Sequence, residues 1–222
     1  FLSIDNPDID TIAGTAGPGL EPALWVGINT AQALAFLWNI PIIPVNHMEG
    51  HIMASLVTPR NEVDGKKVFT LSTPRYPALA LLISGGHTEL VLIPDADSYR
   101  ILGQTRDDAV GEAFDKVARI LGLGYPGGPE ISKLAEKAPL VAKPQYPLPR
   151  PMLHSKDYDF SFSGLKTAVL YTVKKIPPQD FTTETKASIA KEFEDSVTEV
   201  LLTKTLAAAE EYNVREIILG GG

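Results

Sequence analysis

A glycine pair between two β-rich runs is the feature that most limits the folds open to this chain. The stretch ALALLISGGHTELVLIP covers residues 78–94, with Gly85 and Gly86 between two runs of mainly aliphatic residues. Two such runs around a two-residue glycine loop are typical of an antiparallel hairpin, because primed turns need the conformational freedom of glycine. The sequence therefore predicts two paired antiparallel strands and a primed turn between them.

Helical periodicity on either side of this hairpin makes the predicted class α/β with a mixed sheet. Apolar residues recur at helical spacing in residues 24–39, 107–123 and 185–213. The predicted apolar faces comprise Phe114, Val117, Ala118 and Leu121 in the second segment and Ile189, Phe193, Val197, Val200 and Leu201 in the third. Short strands are predicted within residues 10–19, at IPIIPV (40–45) and at 215–222. We expect the strand at 40–45 to be buried, and its two prolines favour an edge position or strand ends.

The chain of 222 residues suits one large domain or two lobes of about 100 residues each. Residues 58–77 are polar and rich in turn-forming types, so we place a boundary between lobes there. The predicted lobes are 1–75 and 76–222. In the second lobe, we expect Pro129 at the first position of the helix that follows GYPGGP.

The composition excludes several classes of protein. The chain has no cysteine, which rules out disulfides, thiolate zinc sites and cysteine nucleophiles. The longest apolar runs are too short to span a bilayer, and no signal-peptide pattern opens the chain. A net charge of −7 argues against a nucleic-acid partner, but residues 133–175 contain eight Lys and Arg against three acids. This stretch is either a solvated face or a local basic surface.

The stretch PVNHMEGHI contains two histidines, His47 and His51, four residues apart. On a helix they share a face and can bind one metal ion, although two unrelated histidines at a helix start remain the alternative. A metalloprotease motif is disfavoured because its Glu directly follows the first His. Here Glu49 lies two residues after His47, roughly 200° around the helix axis.

Three glycine turns, at residues 84–86, 125–129 and 220–222, can either bind phosphate through backbone N–H groups or be plain turns. None of them matches the dinucleotide-binding or P-loop pattern. Asp115 can form a helical ion pair with Arg119 or accept hydrogen bonds from a ligand. The stretch DFSFSGLKT (159–167) is either a core segment of strand and turn or a loop that faces substrate.

Five motifs follow one another along the chain: GTAGPGLEPALWVGINTAQALA, PVNHMEGHI, LLISGGHTEL, DDAVGEAFDKVARILGLGYPGGP and YDFSFSGLKTA. Together they resemble the tRNA N6-adenosine threonylcarbamoyltransferases, the TsaD/Gcp family, and the last motif is similar to the bacterial type. The resemblance implies the actin-like ATPase (ASKHA) superfamily, with two ribonuclease-H-like lobes, both incomplete here. The chain begins at Phe1 and stops just after a strand. We therefore expect the family's N-terminal phosphate loop and its third metal ligand, an Asp, to lie outside it.

The resemblance also implies the site residues. His47 and His51 would be two ligands of one divalent metal ion, Fe²⁺ or Zn²⁺, and no other catalytic residue is assigned. The implied substrate-binding residues are Leu82, Ile83, Ser84, Gly85, Gly86, Asp115 and Gly128. Ser132 stands where many relatives carry an Asp near the ligand.

The implied reaction transfers a threonylcarbamoyl group from threonylcarbamoyl-AMP to N6 of adenosine 37 in tRNAs that read codons beginning with adenine. The implied partners are tRNA, TsaB and TsaE, in the cytoplasm and without a membrane, and we expect this fragment alone to be inactive. The alternatives are a carbamoyltransferase or a small-molecule kinase of the same superfamily, or a non-catalytic scaffold subunit of the same complex. The His pair argues against a scaffold, and a kinase would need the phosphate loop.

Overall fold

The computed structural model describes residues 8–63, 66–139 and 143–221 and forms two compact units that divide between Ser72 and Thr73. This division falls three residues before the predicted boundary at 75/76. The assignment of the two units to ribonuclease-H-like lobes stays a prediction. Among the described residues, no helix is long and apolar enough to cross a membrane.

The first unit contains two small sheets and two helices. Its elements are β1 (Ile12–Gly17), α1 (Glu21–Trp38), β2 (Ile42–Asn46), α2 (His47–Ser55), β3 (Val57–Val63) and β4 (Lys66–Leu71). β1 pairs with β2 in parallel, and β3 pairs with β4 in antiparallel orientation. α1 packs on β1, and α2 follows directly from the end of β2.

Two predictions for this unit are wrong. The strand at 40–45 exists, but it is mainly exposed, with Ile43 51% accessible, because β2 pairs only with β1 among the described strands. The segment 58–77, predicted to be turns, contains most of the β3–β4 hairpin. Cross-strand pairing there prevails over the local polar composition, as strand propensity depends strongly on context.

The second unit is built around a four-stranded sheet in the order β7-β6-β5-β8. The strands are β5 (Ala78–Ile83), β6 (Thr88–Asp95), β7 (Ser98–Gln104) and β8 (Glu216–Gly221). β5 is antiparallel to β6 and parallel to β8, so the sheet is mixed, as predicted.

The hairpin predicted at Gly85 and Gly86 is confirmed, but the primed turn is wrong. Neither glycine has a positive φ, which a type I′ or II′ turn requires. The turn is closed by Ser84 and His87. The N–H of Ser84 donates to the carbonyl of His87 at 2.9 Å, and the N–H of His87 donates to Ser84 Oγ at 3.0 Å. The serine side chain thus supplies a bond that sequence patterning did not anticipate.

Four α-helices complete this unit: α3 (Val110–Leu121), α4 (Gly127–Ala135), α5 (Ser163–Lys175) and α6 (Thr183–Glu211). The apolar faces predicted for α3 and α6 are confirmed, since their residues join one buried cluster in which the half-buried Phe114 ring meets Phe193 edge-on at 4.9 Å. The prediction for Pro129 is wrong, because α4 begins at Gly127 and Pro129 is its third residue. A proline is tolerated there, since the first four N–H groups of a helix have no partner within it.

The stretch 159–167 belongs to the core. Phe160 and Phe162 are fully buried, Phe160 forms a single bridge to Thr105, and α5 begins at Ser163. The Asp107 carboxylate holds this start by accepting hydrogen bonds from the N–H groups of Phe162 and Ser163 at 2.8 and 3.1 Å. Of the two interpretations left open by the sequence, the geometry favours the core segment, although a helix replaces the expected turn.

Candidate functional site

A cavity of about 440 Å³ opens in the second unit where α3 and α4 both begin. The turn after β5, the first residues of α3, the loop before α4 and the first turn of α4 form its walls. Its lining residues are Ile83, Ser84, Gly85, Val110, Gly111, Phe114, Asp115, Tyr125, Pro126, Gly128, Pro129 and Ser132.

Two glycines allow these walls to approach each other. A Cβ added at Gly111 would lie 2.8 Å from Gly85 Cα and 2.9 Å from the Ser84 carbonyl oxygen. A Cβ added at Gly127 would lie 2.6 Å from Asp115 Cα. Both distances are shorter than real Cβ contacts, so only glycine lets α3 reach the β5–β6 turn and α4 reach α3.

Asp115 is the carboxylate in the cavity wall. Its Oδ1 accepts a hydrogen bond from the backbone N–H of Gly127 at 2.7 Å, which fixes the first turn of α4 against α3. Among the ion pairs of the described residues, none joins Asp115 to Arg119. The simpler of the two interpretations of Asp115, a helical ion pair, is therefore not what the structure has.

Ser132 brings a second carboxylate close to the same cavity. Its hydroxyl donates to Glu194 Oε1 on α6 at 2.6 Å, while the residue itself lines the cavity. Because its proton is committed to Glu194, Ser132 presents its remaining lone pairs as an acceptor. No local sequence pattern predicts this contact, since the two residues are 62 positions apart.

The helix termini add positive potential at the cavity. No N-cap side chain bonds to either helix, and the first N–H of each is taken, by Thr88 Oγ1 for α3 and by Asp115 Oδ1 for α4. The next residue of each helix, Gly111 or Gly128, lines the cavity. Backbone N–H groups and the helix dipoles at such ends favour anions. Together with Asp115 and Ser132, the site combines acceptors for hydroxyl groups with an environment for phosphate.

Of the seven residues implied as substrate contacts, the structure brings five together in the cavity: Ile83, Ser84, Gly85, Asp115 and Gly128. Leu82 is fully buried within β5, and Gly86 is exposed at the turn; neither lines the cavity. Their role as substrate contacts stays a prediction. The third glycine run does not line it either: Gly220 and Gly221 pair with Leu82 and Ile83 at the end of β8, and residue 222 lies outside the described residues.

Several lining residues were not among the predicted substrate contacts. One of them, Tyr125, is 86% exposed and belongs to the turn 125–129, which the sequence left open as a phosphate-binding loop or a plain turn. Tyr125 precedes Pro126 in the YPGGP motif, and an exposed aromatic ring beside a glycine turn was the available signal. No sequence signal pointed to Gly111 and Val110, because their place in the cavity wall depends on how α3 packs on the β5–β6 turn.

The His pair lies in the first unit, at the start of α2. The Asn46 side chain caps this helix by accepting hydrogen bonds from the N–H groups of Met48 at 2.8 Å and Glu49 at 3.3 Å. The two Nε2 atoms of His47 and His51 are 3.2 Å apart. Two nitrogens bound to one tetrahedral ion at 2.0–2.1 Å would be separated by about 3.3 Å, so the pair fits a shared metal ion.

The pair does not make a full metal site by itself. Among the described residues there is no group of three or more His, Cys, Asp or Glu placed to hold one ion. His87 and His154 belong to the second unit. Any further ligands would have to come from substrate, water or other residues of the protein.

Comparisons with known proteins point in one direction. Residues 2–222 match the family described as "TsaD: tRNA N6-adenosine threonylcarbamoyltransferase". A protein named tRNA N6-adenosine threonylcarbamoyltransferase from Ralstonia pickettii is 50% identical over 218 residues, which are 97% of this chain and 58% of that protein. One of the same name from Burkholderia cenocepacia is 49% identical over 219 residues, 97% of this chain and 59% of its own length. The chain thus spans about three fifths of the length of the curated relatives it matches.

Proposed function

Because this chain belongs to the TsaD family of tRNA N6-adenosine threonylcarbamoyltransferases, we propose that the protein containing it is such an enzyme. The family has the actin-like ASKHA fold, and the mixed α/β sheet agrees with that. The reaction moves a threonylcarbamoyl group from threonylcarbamoyl-AMP to N6 of adenosine 37 in tRNAs that read codons beginning with adenine. The observation that carries the proposal is the cavity that collects Ser84, Gly85, Asp115 and Gly128.

The adenylate is the ligand that this cavity suits. The N-terminal turns of α3 and α4, which line the cavity, favour its phosphate through their helix dipoles, and the Asp115 carboxylate accepts hydrogen bonds from its hydroxyl or amino groups. The glycine at 128 leaves the cavity wall open, since a Cβ there would meet no atom within 4 Å. These features support a nucleotide-like substrate without a P-loop.

His47 and His51 hold one divalent metal ion, Fe²⁺ or Zn²⁺, through Nε2 atoms already 3.2 Å apart. Such an ion supplies Lewis-acid polarisation of a carbonyl oxygen. The Asn46 cap keeps the first turn of α2 in place, so both imidazoles stay on one helix face. The protein's part is thus to orient the two Nε2 atoms toward one point.

The chemistry is an acyl transfer. The N6 nitrogen of adenosine attacks the carbamoyl carbon, a C–N bond forms, and the bond from that carbon to the phosphate oxygen breaks. AMP leaves with the electron pair, and N6 loses a proton. No described side chain is assigned as the base.

TsaB and TsaE are the protein partners we propose, in the cytoplasm of a bacterium. The His pair counts against a scaffold subunit, which has no need of a metal ligand pair. A carbamoyltransferase of the same superfamily would use carbamoyl-AMP instead, and substrate choice separates it from the tRNA enzyme.

The test uses the full-length protein that contains this chain, with its partner proteins, unmodified tRNA, threonylcarbamoyl-AMP and divalent metal. Mass spectrometry of the digested tRNA should find N6-threonylcarbamoyladenosine. The His47→Ala/His51→Ala variant should form none, whereas His154→Ala, which changes an exposed histidine outside the cavity, should match the wild type. A folded, metal-loaded wild type that acts on carbamoyl-AMP alone, or on neither adenylate, would refute the proposal.

A further inference from the structure

Helix α5 is positively charged within an acidic protein. It contains Lys166, Lys174 and Lys175 and no Asp or Glu over Ser163–Lys175, while the whole chain has a net charge of −7. Among the described residues, no ion pair involves Lys174 or Lys175, although other lysines such as Lys133 and Lys191 each have a carboxylate partner. The positive charge at the end of α5 is therefore not neutralised within the described part of the chain.

Lys174 and Lys175 share a face of α5 with an exposed aromatic ring, that of Tyr171. Leu165 and Val169 bury one side of α5 in the core, and the exposed residues lie on the other side at helical spacing. We name this surface the outer face of α5; it consists of Gly164, Tyr171, Lys174 and Lys175. Tyr171 is 59% accessible, and a Cβ at Gly164 would meet no atom within 4 Å, so this face is open to solvent in the described part of the chain.

Stability of the helix explains only part of this arrangement. Lysines in the last turn interact favourably with the helix dipole, so helix stability alone would explain Lys174 and Lys175. That effect gives no reason for a tyrosine one turn earlier with most of its ring in solvent. Cations and an aromatic ring side by side are what single-stranded nucleic acid binds, through phosphate contacts and base stacking.

We propose that the outer face of α5 is a contact surface for tRNA. Lys174 and Lys175 bind backbone phosphates, and Tyr171 stacks on an unpaired base. The inference rests on the proposed function, which makes tRNA the acceptor. A chain of net charge −7 repels a polyanion on average, so the RNA has to approach where the charge is locally reversed.

The experiment measures tRNA binding to the full-length protein at several salt concentrations. Each phosphate contact contributes about 0.7–0.9 to the slope of log affinity against log salt concentration. Lys174→Ala/Lys175→Ala should therefore lower that slope by about 1.4–1.8 and weaken binding to all tRNAs alike. Tyr171→Ala should weaken binding with little change of slope, while Tyr171→Phe, which keeps a ring that can stack, should bind nearly as the wild type does.

The matched control is Lys137→Ala/Lys143→Ala. Both residues are exposed, no ion pair among the described residues involves them, and they lie in the same basic stretch, 133–175. If this variant lowers the slope as much as the α5 variant, the effect is general electrostatics and the surface is refuted. An unchanged slope in the α5 variant, with its melting temperature kept, refutes it as well.

Two further outcomes separate this surface from other hypotheses. The first is measured with vesicles of anionic phospholipid. If the wild type binds them, and the α5 variant loses that binding but binds tRNA as the wild type does, the face contacts a membrane and the inference is overturned. A wild type that binds tRNA with the expected salt dependence but forms no N6-threonylcarbamoyladenosine would refute the proposed function and still support the RNA-contact surface.

Discussion

Asp115 on α3 accepts a hydrogen bond from the backbone N–H of Gly127, the first residue of α4, at 2.7 Å. The bond joins two helices whose N-termini both open on the cavity. It uses one carboxylate oxygen for structure, and a carboxylate has further acceptor positions for a ligand. A single side chain thus both sets the position of α4 and supplies negative charge to the site.

Replacing Asp115 should separate these two roles. In Asp115→Asn, the amide oxygen still accepts from Gly127, so the free energy of unfolding should change little, whereas adenylate affinity should fall at least tenfold because the charged acceptor is lost. Asp115→Ala removes the acceptor for the Gly127 N–H as well as the charge, so it should also lower the free energy of unfolding by about 1 kcal/mol. Urea unfolding and calorimetric titration with AMP measure the two quantities.

Arg119→Ala is the control for this pair of variants. No ion pair among the described residues joins Arg119 to Asp115, and Arg119 is exposed, so neither stability nor AMP affinity should change. A loss of affinity in Arg119→Ala as large as in Asp115→Asn would mean that the helical ion pair forms in solution.

Adjacent glycines of α4 should respond in opposite ways to the same substitution. Gly127→Ala places a methyl group 2.6 Å from Asp115 Cα and should lower the free energy of unfolding by about 1–3 kcal/mol. In Gly128→Ala, the methyl group meets no atom within 4 Å, and alanine favours helix, so stability should hold or rise slightly. Thermal unfolding of the two variants tests the packing of α4 on α3. Equal melting temperatures would contradict it.

The Gly128→Ala variant also tests ligand binding. Gly128 lines the cavity, so its added methyl group stands where a ligand would lie against the wall. Gly128→Ala should therefore weaken AMP binding without loss of stability. Undiminished affinity would remove Gly128 from the ligand contacts that the family resemblance implies.

Patterns within one element were predictable from sequence, and contacts between distant elements were not. The apolar faces of α3 and α6 and the hairpin at Gly85 follow from local periodicity, which the chain carries in neighbouring residues. The β3–β4 hairpin was missed because its residues look like turn formers until they pair with each other. The primed turn was wrong because Ser84 closes the loop by its side chain, an option that composition does not reveal.

The same limit applies to the site. His47 and His51 are four residues apart, and helical geometry alone puts them on one face. Asp115 left two interpretations open, since its partner, Gly127, lies in another helix. Ser132 and Glu194 depend on how α4 packs on α6, which no local pattern encodes.

Asp107 should make stability depend on pH in the acid range. Burial opposes its ionisation, but the hydrogen bonds it accepts from Ser161, Ser163 and the N–H groups at the start of α5 outweigh this and lower the pKa of the carboxyl. The unfolded chain, with an ordinary Asp pKa of about 3.9, then binds the proton more readily than the folded one. The stabilisation is present above the unfolded pKa and is lost as pH falls through the lower, folded pKa.

The Asp107→Asn variant measures this contribution. Its free energy of unfolding should be lower than that of the wild type at pH 7, by about 1 kcal/mol as for a lost helix cap, and the difference should shrink below about pH 4. Urea unfolding at a series of pH values gives both curves. Other carboxyls with a lowered pKa, such as Asp157, titrate in both proteins and cancel in the difference. A difference that is constant down to pH 2 would contradict the assignment.

Metal affinity should depend on both histidines of α2 and not on His87 or His154, the other two histidines of this chain. Each ring supplies one Nε2 atom of a pair 3.2 Å apart, so His47→Ala or His51→Ala removes one of the two ligands that this chain supplies, and Zn²⁺ affinity of the full-length protein should fall by about 100-fold or more. Competition with a chromophoric chelator measures it. Both substitutions lie on the exposed side of α2 or at its edge, so the melting temperature of the metal-free protein should change little.

His87→Ala and His154→Ala are the matched controls, because they remove an imidazole from the second unit. Neither should change Zn²⁺ affinity. Asn46→Ala gives an intermediate case: it loses the cap of α2, which should cost about 1 kcal/mol of stability, but it keeps both imidazoles. If Zn²⁺ affinity survived in both His47→Ala and His51→Ala, the 3.2 Å pair would be an ordinary contact between two rings at a helix start, and the metal would have to bind elsewhere in the protein.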